Sequence, residues 1–334
     1  MTEPADPGHL MRAEIAEAPG TFARAAVQPV SVPDLTGLRA VYTVARGSSD
    51  AAANILSYEF MRETGLPMTS LPPSVFSLGR GVRLDGAAVI VVSQSGASED
   101  LVRSARGAKA AGAHVLGIVN APRSPVEAAA DVLVPIGAGP ELAVPATKSV
   151  VGSVAAGMAI LGGLVPDYAP RAAASAAAVA AMAGKALPQT RALVAALLRA
   201  SHVYVIGRGA GFGAAQELAL KLKECCALHA EAYSSSEVLH GPLQLVTNPL
   251  LILILDTEQG DVQDSLDVAE ARFAGAGGTV FRIRPSDVGA SGLTPAAAAA
   301  ALLILTYPLA LDSALALGHD PDRPATLSKV TQTT

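Results

Sequence analysis

Three short loops carry side-chain hydroxyls at an unusual density: GSSD (47–50), SQSGAS (93–98) and AVPATKS (143–149). All three are poor in cations, and the middle one follows directly on the apolar run GAAVIVV (86–92). A strand that ends in small polar residues and is followed by a helix exposes unsatisfied N–H groups at the positive end of the helix dipole, a ready anion site. Serine O–H and glutamine N–H donors add hydrogen bonds that can wrap one phosphate from several sides. One such loop alone reads as N-capping serines. Three at successive strand ends point to a bound phosphate ester. The loops are not the phosphate-binding GxxxxGK[ST] pattern, and GRGAGFG (207–213) lacks the glycine spacing of a dinucleotide fingerprint.

A second group with chemical potential is Glu217, Lys221 and Glu224. At i, i+4 and i+7 they share one helical face. By pattern alone this is a solvated face with ordinary i,i+4 pairing. In a site, a carboxylate there could take and return a carbon-bound proton, given burial and a neighbouring charge to poise it. His240 precedes Gly-Pro and so sits in a turn, where a histidine suits proton transfer. His229 and Glu237 are alternatives, His229 being expected to pack in the core. His9, His114, His202 and His319 form no ligand-like cluster, so neither a metal nor any other cofactor is expected.

The elements that must position these groups are read from apolar runs. AVYTVA (40–45), AAVIVVS (87–93), HVLGIV (114–119) and DVLVPI (131–136) fall in the first half, and HVYVIG (202–207), LLILILD (250–256) and TVFRIR (279–284) in the second. Runs without polar alternation suit strands buried on both faces, as in parallel sheets flanked by helices. VYTVARGSSDAAANIL (41–56) shifted by 162 residues matches VYVIGRGAGFGAAQEL (203–218), with Val, Tyr, Arg and Gly recurring in register, so the two halves read as a duplication. LVPDYAPR, with its two prolines, is expected to break a helix between them. The fold expected is α/β: two tandem three-layer α/β/α subdomains with parallel sheets, flavodoxin-like, plus an N-terminal helical extension and a C-terminal tail. The expected boundaries are 1–36, 37–165, a helical linker 166–195, 196–318 and the tail 319–334.

Of 334 residues 51% are apolar and 16% charged, and the net charge is −5. That excludes the basic footprint of a nucleic-acid binder, so any anion must be held by a local device. The two cysteines, Cys225 and Cys226, are adjacent and read as buried hydrophobes in a reducing compartment. The N-terminus has acids and prolines where a signal peptide needs basic and then apolar residues. TPAAAAAALLILTYPLAL (294–311) has the length of a membrane span, but its composition and Pro308 favour a buried core helix. A cytoplasmic protein without membrane or nucleic-acid partners is expected.

RGSSD, SQSGASED, VPATKS, ALKLKECCALHAEAYSSSEVLHGPLQLV (219–246) and DPDRPATLSKVTQTT (320–334) together resemble the SIS (sugar isomerase) family. Within it they resemble the double-SIS isomerase half of glucosamine-6-phosphate synthase and the SIS-type glucosamine-6-phosphate deaminases. The resemblance implies a phosphosugar site formed by Ser49, Ser93, Gln94, Ser95, Ser98 and Val144 beside Gly47. Ala146 stands where the synthase pattern has a serine, and Thr147 is the residue expected to compensate. It further implies Glu224 as the acid/base between C1 and C2, and His240 as the ring-opening residue supplied by the partner of a homodimer. Lys329 is implied as a lysine near C2 on a tail that closes over the site, with Glu217 and Lys221 as the supporting pair. Position 2 is Thr2 rather than a nucleophilic cysteine, so the reaction expected is deamination of glucosamine 6-phosphate to fructose 6-phosphate and ammonia. A galactosamine-6-phosphate deaminase, a fructosamine-6-phosphate deglycase and a plain aldose–ketose isomerase need the same parts. A non-catalytic phosphosugar-binding regulator would need the cradle but not Glu224.

Overall fold

The computed structural model describes residues 6–32 and 37–329. After helix α1 (His9–Ala26), the first half runs β1 (Ala40–Val44), α2 (Ser48–Thr64), β2 (Met68–Ser70), α3 (Ser74–Ser77), β3 (Ala87–Ser93), α4 (Glu99–Ala110), β4 (His114–Val119), α5 (Pro125–Ala129), β5 (Val132–Pro135) and α6 (Lys148–Leu164). Helices α7 (Tyr168–Ala180) and α8 (Thr190–Leu197) lead into the second half. There follow β6 (Val203–Gly207), α9 (Ala210–Cys226), β7 (Ala230–Ser234), two 3-10 turns (Glu237–His240 and Pro242–Thr247), β8 (Leu251–Leu255), α10 (Gln263–Gly275), β9 (Thr279–Ile283) and α11 (Pro295–Ala316). Pro166 closes α6, whereas Pro170 sits in the first turn of α7, where a missing N–H does no harm.

Both sheets are parallel, in the orders β2-β1-β3-β4-β5 and β7-β6-β8-β9. The first is the flavodoxin-like order, whose switch point lies between β1 and β3. Each sheet is covered on both faces. Val41, Ile90 and Ile118 of the first sheet and Val205, Leu253 and Leu255 of the second face one large shared core. Val89 and Val91 pack instead with Leu101 and Ala105 of α4, and Tyr204 and Ile252 pack with Leu266 and Phe273 of α10. Burial on both faces explains why these strands read as unbroken apolar runs. The two strands absent from the sequence expectation, β2 and β7, are edges, with Thr69 and Ser70 exposed. The apolar stretch near the C-terminus is α11. It is long and apolar enough to cross a membrane, but 83% of its most apolar window is buried inside the molecule, and it contains Pro308 without ending there.

The duplication holds at the level of backbone angles. Shifting α2 by 162 residues gives α9 end to end. The glycine before each helix has the same backbone, Gly47 at φ 52°, ψ −126° and Gly209 at φ 58°, ψ −134°, a region that only glycine enters freely. The two helices pack on each other through Gly213, whose repeat mate is Ala51. A Cβ at Gly213 would lie 2.6 Å from Ile55 Cγ1, 2.7 Å from Ile55 N and 2.8 Å from Ala51 O. Two of those atoms are backbone, so only a shift of the helices could relieve the clash. Gly213→Ala is expected to destabilise the fold by about 1–3 kcal/mol in urea unfolding. Gly275→Ala, at the end of α10 with nothing within 4 Å, should change stability by less than about 0.5 kcal/mol.

Candidate active site

The hydroxyl loops stand at the carboxyl ends of the first sheet, where ligands of open α/β sheets bind. Ser93, the last residue of β3, is buried, and its Oγ accepts the Gly96 N–H at 2.9 Å. Ser95 Oγ accepts the Ala97 N–H at 3.3 Å. Both hydroxyls shape the turn through their lone pairs and keep their O–H free to donate. Gly96 has φ +60°, and a Cβ there would meet Ser124 Oγ at 2.3 Å. Ser98 stands at the N-cap of α4 but makes no capping bond with its side chain. Capping therefore does not account for this serine. Among the described residues the side chains of Ser49, Gln94 and Ser98 have no hydrogen bond of their own. Arg46 ties the first loop to the second, its Nε and Nη2 each 2.8 Å from the buried carboxylate of Asp100. The Ala121 N–H reaches Gln94 O at 3.1 Å, and Asn120 bonds Ala138 N and Gly139 O of the loop that leads to Val144.

Beside this cradle lies a buried row of charges on α9. A Cβ at Gly47 would lie 3.9 Å from Leu220 Cδ2, and the Ser48 hydroxyl faces Glu217. Glu217 and Lys221 have no solvent exposure, and their charged atoms are 3.5 Å apart. Lys221 also pairs with Glu224, whose side chain is 24% exposed. Tyr307 of α11 donates its O–H to Glu217 Oε1 at 3.2 Å. Burial pushes the Glu217 carboxyl up to about 7; Lys221 opposes that and Glu224 adds to it. Burial pulls on Lys221 in the opposite sense, but the two carboxylates outweigh it and hold the ammonium above its usual range. Glu224 opens onto a cavity of about 550 Å³ shared with Cys225 and the tail residues Asp320, Arg323 and Leu327. The three residues of the predicted helical face are thus together, Glu217 and Lys221 buried and Glu224 partly open.

A further carboxylate, not singled out by pattern, joins the third loop to the tail. Glu141 Oε1 accepts the N–H groups of Thr147 and Ser149, both at 3.0 Å. Its Oε2 accepts Ser149 Oγ–H at 2.5 Å and lies 3.4 Å from Lys329 Nζ. Glu14 of α1 accepts the Leu142 and Ala143 N–H groups, and burial, then Glu141, raises its pKa. An acid just ahead of a helix such as α6 is the one sequence cue that could have marked Glu141. Thr147 is fully buried and its Oγ1 has no partner, as is true of Glu14 Oε2 and Glu217 Oε2. Val144 is half-buried, and its N–H meets Asp322 O at 3.4 Å.

Three placements differ from expectation or remain apart. Lys329 bonds Glu141, not the α9 row. His240 is exposed on the 3-10 turn Glu237–His240, whose Val238 packs on the sheet face opposite α9, so one chain does not bring it to Glu224. His229 is not in the core: it is exposed ahead of β7, edge-on to His202 at 5.8 Å between ring centroids. Its apolar flanks belong to the strand interior, while the residue itself sits at the watered end of the sheet. Among the described residues no three His, Cys, Asp or Glu side chains are grouped to hold a metal.

Two linked flavodoxin-like layers with a hydroxyl cradle at one switch point define the class, and comparison with known proteins agrees. The SIS domain profile matches residues 34–162 and 196–283, and the chain belongs to the SIS domain family. It is 30% identical to the glutamine–fructose-6-phosphate aminotransferase [isomerizing] of Aeropyrum pernix over 96% of its own length, but spans only 57% of that relative. A crystal structure from Silicibacter pomeroyi DSS-3, provisionally described as a phosphosugar isomerase, is 33% identical with TM-score 0.80, covering 93% of this chain and 99% of the other. The glucosamine-6-phosphate deaminase of Thermotoga maritima shares the fold at 20% identity, TM-score 0.75, covering 97% of this chain and 100% of the other.

The raised pKa of Glu217 has a defined consequence for stability. Between about pH 4.5 and 7 the folded chain holds a proton there that the unfolded chain has released. Stability from this group is therefore present at the acid end and falls as pH rises through that window. Glu217→Gln has no proton to lose. The stability of the native protein minus that of the variant, from denaturant unfolding, is expected to fall between pH 5 and 7 by up to about 1.4 kcal/mol per pH unit.

Proposed function

We propose that this chain is an aminosugar-phosphate isomerase and deaminase, converting glucosamine 6-phosphate to fructose 6-phosphate and ammonia. The observation that carries the reading is Glu224, a half-open carboxylate held by the wholly buried Lys221–Glu217 pair next to a neutral hydroxyl cradle. In this reading Ser49, Ser93, Gln94, Ser95 and Ser98, with Val144 and Thr147 of the third loop, hold the phosphate end of the sugar. Glu224 then faces C1 and C2 of the opened chain. It removes the C2 proton, the electron pair moves into an enolamine, and the same proton returns to C1. The nitrogen is left as a C2 imine, which water hydrolyses to the ketone and ammonia. Lys221 holds Glu224 in place through their ion pair, and Lys329 approaches C2 once the tail is drawn in. Cys225 and Cys226 are unsuited to attack an amide: burial raises both thiols to about 12.

The exposed position of His240, on the far side of the second sheet from α9, supports a homodimer in which each site takes its ring-opening histidine from the other subunit. Glu224→Gln is expected to lower ammonia release from glucosamine 6-phosphate by about 10²–10⁴-fold while still binding a non-reactive sugar phosphate. Unchanged release would leave the chain a phosphosugar-binding protein with no role for its carboxylate. For the shared site, Glu224→Gln and His240→Ala chains, each inactive alone, are mixed and reassembled. Random pairing into two-fold dimers is expected to restore about a quarter of native activity, and no recovery would place both groups in one subunit.

A further inference from the structure

The duplication places a second crevice at the carboxyl ends of the second sheet, between β6 and β8, where the first sheet has its cradle. This cavity of about 340 Å³ is lined by Arg208, Gly209, Thr257 and Gln259 of the strand ends, with Tyr58 and Arg62 of α2. Arg208 is the repeat mate of Arg46, and the two differ in their counter-charge. Arg46 is neutralised by Asp100, a carboxylate with no exposure. Arg208 instead donates through Nη1 to two neutral hydroxyls, Ser234 Oγ at 2.9 Å and Ser236 Oγ. Among the described residues no carboxylate lies within 4 Å of it, and its Nε and Nη2 make no hydrogen bond. The acids nearby are otherwise engaged: Asp261, the one carboxylate that lines the cavity, faces Arg62, Asp256 is buried between Arg282 and Arg284, and Glu258 accepts the Ser286 N–H. Arg62 meets only Asp261, at 3.4 Å and with both side chains more than half exposed, a pair of small energetic weight.

We propose that this crevice is a second anion site, separate from the cradle, which takes the phosphate of a small phosphorylated ligand on the Arg208 fork with Arg62 at its rim. A guanidinium presents parallel N–H donors that match a phosphate bidentately. In the first copy that fork is closed by a protein carboxylate and the phosphate falls to neutral donors. In the second copy the fork is open and stands at the wall of the cavity.

The test is the stoichiometry of glucitol 6-phosphate, which cannot isomerise, bound to the full chain in calorimetry. Two equivalents per chain are expected. Arg208→Ala should remove one of them, and Arg62→Ala, an exposed change that leaves the core intact, should weaken the same one by at least about tenfold. Thermal unfolding of Arg208→Ala establishes that it is folded. A single equivalent insensitive to both changes overturns the second site and leaves the cradle reading standing. A single equivalent removed by Arg208→Ala supports this site and counts against the cradle.

Discussion

Lys221 is an ammonium group without access to water, and much of the second half is arranged around that fact. Moving such an ion out of water carries a penalty of several kcal/mol even after relaxation. The chain offsets it with a carboxylate one turn before Lys221 and another one turn after it. The Tyr307 hydroxyl on α11 in turn satisfies Glu217. Because Glu217 has no exposure while Glu224 is partly open, the two acids are unequal. The inner one is pushed towards its protonated form, and the outer one remains the partner of the cation. The carboxylate that opens on the pocket is thus held in position by a buried cation.

The same helix is half of an internal two-fold relation. α2 and α9 meet at Ala51 and Gly213, and each begins at a glycine with the same backbone. Duplication therefore supplies two switch points but only one row of buried charge, since position 55, the mate of Glu217, is Ile55 in the core. The first half retained neutral donors on its strand ends and the second contributed the carboxylates. Packing the two helices face to face brings the turn ahead of α2 beside α9, where a Cβ at Gly47 would lie 3.9 Å from Leu220 Cδ2.

The central strands were legible because burial on both faces leaves no room for polar alternation, and β3 and β4 match their apolar runs residue for residue. The edges β2 and β7 were not, since a half-exposed strand of mixed polarity has no such signature. The spacing of Glu217, Lys221 and Glu224 showed a shared face but not whether it met water, because pairing at i,i+4 serves equally on a surface. Glu141, Glu14 and Asp322 escaped notice for a different reason. Each has a partner far along the chain, 188, 128 and 311 residues away, and a loop carboxylate has no periodicity to betray it.

Those long-range carboxylates join three segments that would otherwise order independently. Helix α1 has Gly8 at its N-cap and no side-chain cap of its own. Its orphan N–H groups at Leu10 and Met11 are met by Asp322 at 2.9 and 2.8 Å, and that at Gly8 by Asp320. A cap of this kind ordinarily contributes about 1 kcal/mol, and here it also fastens the tail. The tail then presents Lys329 to Glu141, which itself holds the Thr147–Ser149 turn at the start of α6. Glu14 returns from α1 to the same loop at Leu142 and Ala143. Helix start, loop and tail therefore close a ring of hydrogen bonds in which each link orders the next, so the third wall of the cradle and the tail lysine form together.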